Sequence, residues 1–117
     1  MPLPKEQTYT SEDYWNLPEG HRAELIGGQF YDMAPPSRIH QRIVSQVSRI
    51  IGNHIESQKG NCEVYPAPFA VILNRDEDTY VEPDISVICD REKLSERGCE
   101  GALDMGIEIV SPSNPWL

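Results

Sequence analysis

The sequence predicts a mixed α+β domain (α/β in the broad sense), a sheet with one long helix packed against it, and three observations carry that reading. Residues 37–57 repeat apolar side chains at helical spacing. Short apolar runs at 22–26, 29–33, 62–73, 79–90 and 105–110 have the length and alternation of strands. Between the first two of these stands Gly27-Gly28, a pair that supplies the positive φ a two-residue hairpin turn requires.

The elements follow in chain order. Thr10 can cap a short helix over TSEDYWNL, with Glu12 and Asp13 in its first turn and Pro18 closing it. In HRAELIGGQFYDM the first strand sets Ala23 and Leu25 on one face, Glu24 and Ile26 on the other. Ser37, after Pro35-Pro36, caps a helix running to about residue 57, with Gly60 as its stop. Val44, Val47 and Ile51 share one side of it, flanked by Ile43, Ile50 and Ile55. Arg38, Arg42 and Arg49 lie opposite and read as a solvated face, while His40 and His54 fall within the apolar stripe.

CEVYPAPFAVIL reads as a strand whose early part Pro66 and Pro68 confine to an edge or an irregular segment. NRDED is a polar turn. TYVEPDISVICD is apolar on both faces, the pattern of a central strand. A charged connection over 91–104 leads to MGIEIV, where Gly106, Glu108 and Val110 share one face.

The whole chain, 1–117, fits one domain. Its first residues show no basic and apolar leader, and no apolar run approaches the roughly 18 residues of a membrane span, so a cytoplasmic protein is expected. Cys62, Cys89 and Cys99 are odd in number and lack CxxC spacing, which points to free thiols and away from a zinc site. A net charge of −9 is the wrong field for gripping a phosphate backbone by charge alone. Nucleic acid as a partner therefore requires a local cluster, a metal ion or a helper.

Asp84 and Glu108 are the residues out of place, since both stand inside the most apolar strands. Either one alone reads as well as a turn cap or an ion pair. Two carboxylates on neighbouring strands with no local base would repel, and a divalent cation between them resolves the repulsion. Mg²⁺ suits such a pair, because it takes one or two carboxylates and completes its shell with water and phosphate.

Pro83-Asp84 followed by Glu108 resembles the PD-(D/E)XK signature of the restriction-endonuclease-like superfamily. The ordered set ELIGGQFYDMAPPSRIHQRIV, VEPDISVICD and IEIVSPSN is similar to the Uma-two type of endonucleases within it. That resemblance implies a mixed β-sheet with a long helix packed on it and a Mg²⁺- or Mn²⁺-dependent site that hydrolyses DNA. It implies that Asp84 and Glu108 hold the metal with the backbone carbonyl of Ile109, that Glu24 supports the metal or its waters, and that His40 belongs to the catalytic group.

The plain motif places a lysine two residues after the second acid, on the same strand face, and here that residue is Val110. Relatives of the Uma-two type look as though they take the lysine from a helix after SPS, and this sequence reaches Leu117 without one. The expectation is thus a domain truncated at its carboxyl end, lacking the last helix and strands, with impaired cleavage and an uncovered apolar sheet face that favours a homodimer. The competing expectations are a non-catalytic remnant that binds metal or a protein partner, and a plain interaction domain in which both acids are ordinary ion pairs.

Overall fold

The computed structural model describes residues 8–74 and 78–110. α1 (Ser11–Trp15) opens on a reciprocal cap: the Thr10 side chain accepts from the Asp13 N–H at 3.4 Å, and the Asp13 carboxylate accepts from the Thr10 N–H at 2.9 Å. β1 (Ala23–Ile26) and β2 (Gln29–Asp32) form the expected hairpin, with φ of +56° at Gly27 and +81° at Gly28. α2 (Arg38–Ser57) starts where Ser37 Oγ accepts from the His40 N–H at 3.1 Å. There follow β3 (Glu63–Pro66), β4 (Ala70–Asn74), β5 (Thr79–Val81), β6 (Ile85–Ile88), a short 3-10 turn, β7 (Leu94–Ser95), β8 (Gly98–Glu100) and β9 (Met105–Ile107).

These strands make two sheets where one was expected. The larger has the order β2-β1-β5-β4-β8-β7, mixed because β4 runs parallel to β8, and the smaller has the order β3-β6-β9. Each of the two longest apolar runs is split between them. CEVYPAPFAVIL contributes β3 to one sheet and β4 to the other, with a cis Ala67-Pro68 bond between, and TYVEPDISVICD divides into β5 and β6 around Pro83. Proline removes the backbone donor a continuous ladder needs, so the chain changes sheets at those residues. The charged connection over 91–104, for which no strand was assigned, holds β7 and β8, and the last strand ends at Ile107 rather than Val110. At Gly98 φ is +140° and an added Cβ would meet the Ala70 carbonyl oxygen, so glycine lets the parallel β4–β8 pair close.

The core lies on the two faces of β4. Ala70 and Ile72 pack with Tyr14, Leu25 and Tyr80 toward α1, while Val71 turns the other way onto Ile88 and Cys99. All four residues of β6 are buried, as its two-sided apolar pattern predicts. α2 rests on β3 and buries Val44, yet Ile39, Ile43 and Ile50 remain exposed along its flank. His54, read as part of the apolar stripe, is exposed near the helix end.

The expectation of three free thiols is also corrected. Cys62 and Cys89 form a disulfide, and Cys99 is free and buried. Glu63 pairs with Ile88 in the antiparallel β3–β6 ladder, so one further step along it sets Cys62 opposite Cys89. Among the described residues, no helix is long and apolar enough to cross a membrane. The irregular course expected for 111–117 and the centre of the NRDED turn lie outside the described residues.

Candidate active site

Asp84 takes its place from the sheet change at Pro83. It immediately precedes β6, and its carbonyl oxygen accepts from the Ala67 N–H at 2.9 Å, which ties it to the cis-proline segment. β6 and β9 pair antiparallel with Ile85 opposite Ile107, so one step further the ladder brings Glu108 beside Asp84. Asp84 Oδ2 accepts from the Ile109 N–H at 2.7 Å and lies 3.1 Å from His40 Nε2. His40 reaches it from the first turn of α2, with Nδ1 3.0 Å from Gln41 Oε1, so the ring bridges Gln41 and Asp84. Both side chains of the His40–Asp84 pair are nearly buried, at 12% and 13% exposure.

Glu108 departs from the sequence reading. It stands just beyond the end of β9 and is exposed, so it is not a buried carboxylate inside a sheet. It nevertheless binds its proton tightly, with a pKa pushed up to about 6, first by partial loss of water and then by the negative charges of Asp84 and Glu24. Three acids therefore feel one another at this point. Glu24 sits slightly behind the others, its Oε2 accepting from the Glu82 N–H at 2.8 Å.

A cavity of about 500 Å³ opens over this cluster, lined by His40, Asp84, Glu108 and Ile109 together with Arg22 and the Met33–Ser37 segment. Glu24 is not on its wall. Arg38, Arg42 and Arg49 are exposed on α2, as a solvated face should be, and none lines the cavity. Val110, two residues past Glu108, is 64% exposed and carries no base.

Sequence reasoning missed a second layer. Glu82 is buried at 7% exposure, and its carboxylate receives the Tyr14 hydroxyl at 2.9 Å and the Arg22 guanidinium at 3.3 Å. Burial and the Glu82 charge push the Tyr14 hydroxyl pKa well up, which keeps it a donor. The signal was available in spacing, since Arg22 stands two residues before Glu24 and Glu82 two before Asp84. In extended chain such neighbours share a face.

Among the described residues, no group of three or more His, Cys, Asp or Glu side chains is arranged as a metal cage. Two adjacent carboxylates, one with its pKa raised by partial loss of water and then by the charge of the other, do fit a hard divalent ion that fills the rest of its shell with water and phosphate. Asp84 and Glu108 would hold it.

A long helix on the three-stranded antiparallel sheet beside a larger mixed sheet, with an acid before one strand and another after its neighbour, is consistent with the restriction-endonuclease-like fold. A family model, Uma2, described as "Putative restriction endonuclease", matches residues 11–115, and the chain belongs to that family. No curated protein matches the chain.

Proposed function

We propose that the protein hydrolyses phosphodiester bonds of DNA, using Mg²⁺ or Mn²⁺ held by the carboxylates of Asp84 and Glu108 and the backbone carbonyl of Ile109. The observation that carries this reading is the juxtaposition of Asp84 and Glu108 on one cavity, where partial loss of water and then the neighbouring negative charges raise the Glu108 pKa to about 6. Membership of a nuclease family makes DNA the substrate to test first. A divalent ion bound there supplies polarisation of the scissile phosphate and a more acidic water.

The chain's own groups prepare the site. The Ile109 N–H and His40 Nε2 both hold Asp84 Oδ2, which fixes the carboxylate plane before any ligand arrives. Glu24 anchors the Glu82 peptide and adds charge behind the pair, strengthening attraction for a cation. His40 lines the cavity with Nε2 turned to Asp84 Oδ2.

Pairing of two copies belongs to the same reading. Ile39, Ile43 and Ile50 form an exposed apolar strip along α2, and a second copy would remove it from water. A monomer by light scattering at micromolar concentration contradicts the homodimer.

The second reading, a non-catalytic protein that keeps the cation pocket, is favoured by Val110, which offers no base on the Glu108 strand face. Nicking of supercoiled plasmid separates the two. The proposal expects nicking by the wild type with Mn²⁺, none with a chelator, and none from Asp84→Ala or Glu108→Ala. Absence of nicking by the wild type across Mg²⁺ and Mn²⁺ favours the second reading.

A further inference from the structure

We propose that Arg22 is the side chain that grips the substrate phosphate in this cavity, an inference that rests on the phosphodiesterase reading above. Among the described residues lining the cavity, Arg22 alone carries a guanidinium or ammonium group. Its position is set by the β1–β2 hairpin. The Met33 N–H donates to the Arg22 carbonyl at 2.9 Å, which extends the ladder one step beyond Ala23, and Arg22 then shares a strand face with Glu24. The hairpin thus aims a cation and an acid toward the same side.

The hydrogen bonding of Arg22 is incomplete. One terminal nitrogen, Nη2, lies 3.3 Å from Glu82 Oε1 and 3.8 Å from Met33 Sδ, while Nε is buried with no partner among the described residues. A guanidinium offers five N–H donors in a planar fork, and one long bond to a carboxylate with one thioether contact leaves that capacity unused. A buried donor without an acceptor is costly, and phosphate oxygens meet two fork donors at once. Glu82 is itself pinned by the Tyr14 hydroxyl at 2.9 Å and fixes one end of the arginine, which lies between this cavity and a second one bordered by Glu82 and Tyr14.

Electrostatics favours such a group. Asp84, Glu108 and Glu24 crowd the site with negative charge on a chain of net charge −9, and a fixed cation on the cavity wall adds to a bound metal ion in offsetting the repulsion of an approaching phosphodiester. Val110 supplies none on the Glu108 strand, and Arg38, Arg42 and Arg49 lie off the cavity. Arg22 supplies it from β1's leading edge.

The bland alternative is that Arg22 serves only as the counterion of Glu82. Removing it alone would leave a buried unpaired carboxylate, so the informative variant is Arg22→Gln combined with Glu82→Gln, compared with Glu82→Gln alone. Two readouts are taken on the full chain: anisotropy of a fluorescein-labelled DNA duplex in Ca²⁺ across a salt series, and the DNA-concentration dependence of plasmid nicking in Mn²⁺. Thermal melting confirms folding. The expected result is that loss of Arg22 weakens duplex binding roughly tenfold, lowers the salt slope by about one phosphate contact, and raises KM more than it lowers kcat. Arg22→Lys in the Glu82→Gln background should recover the salt slope and only part of the affinity, since an ammonium keeps the charge and loses the fork.

An unchanged salt slope and KM beside a lowered Tm overturns the Arg22 contact and leaves the nuclease reading intact. Arg22-dependent binding without nicking by the wild type does the reverse. A wild type that neither binds nor nicks the DNA overturns both.

Discussion

Glu108 has a raised pKa because partial loss of water, and then the negative charges of Asp84 and Glu24, oppose its ionisation. Its folded pKa of about 6 lies above the ordinary 4.5, so the folded state binds more protons than the unfolded state between those values. Stability of the metal-free protein therefore falls as pH rises from about 4.5 to about 6, and stays lowered above that. Glu108→Gln removes the effect. After discounting for solvent screening at so open a site, the gain at pH 7.5 is on the order of 1 kcal/mol, or a few degrees in Tm, with no gain at pH 4. Equal melting shifts at both pH values would contradict this origin. His40 acts through Asp84, and His40→Ala should cost about 10–100-fold in nicking rate with little change in Tm. A loss of folding to match the loss of rate would make His40 merely a packing residue. The sequence made Asp84, Glu108 and His40 legible because a carboxylate in an apolar run and a histidine in a helical stripe are anomalies. Arg22 and Glu82 were overlooked because each sits among ordinary polar neighbours, and only the pairing of β1 with β5 brings the two side chains together.

At the scale of elements, the helices and the hairpin were readable because their signals are local. Ser37 caps α2 by bonding a backbone N–H three residues away, and Gly27-Gly28 adopts positive φ regardless of what surrounds it. The strands were harder. β3 and β4 come from one apolar run but join different sheets, as do β5 and β6, and alternation cannot report which partner a strand will choose. The prolines at 66, 68 and 83 marked the break points without revealing that a break means a change of sheet. The same non-local pairing hid the disulfide, since Cys62 and Cys89 meet only because β3 lies beside β6. A bridge closing a 27-residue separation should stabilise the chain by about 3–4 kcal/mol on loop entropy. Thiol titration of the unfolded, unreduced protein should find one thiol, from Cys99, and three after reduction. Three thiols before reduction would contradict the pairing, and reduction should lower Tm by well over 5 °C.

For the whole molecule, the net charge and the site make opposite demands that a single ion reconciles. A chain of −9 repels DNA at a distance, and its acid cluster repels it most at close range. On the proposed reading, a divalent ion on Asp84 and Glu108 would reverse the sign of the field where the phosphate sits, and Arg22, on the wall of the same cavity, would hold it from the side. The account therefore places one cation, shared by both acids, at its centre. Isothermal titration of the metal-free protein with Mn²⁺ at pH 7.5 tests this most directly. The account predicts one Mn²⁺ per chain for the wild type and no measurable site in either Asp84→Ala or Glu108→Ala. A wild type that takes up no Mn²⁺, or a site that survives unchanged in both variants, would contradict it.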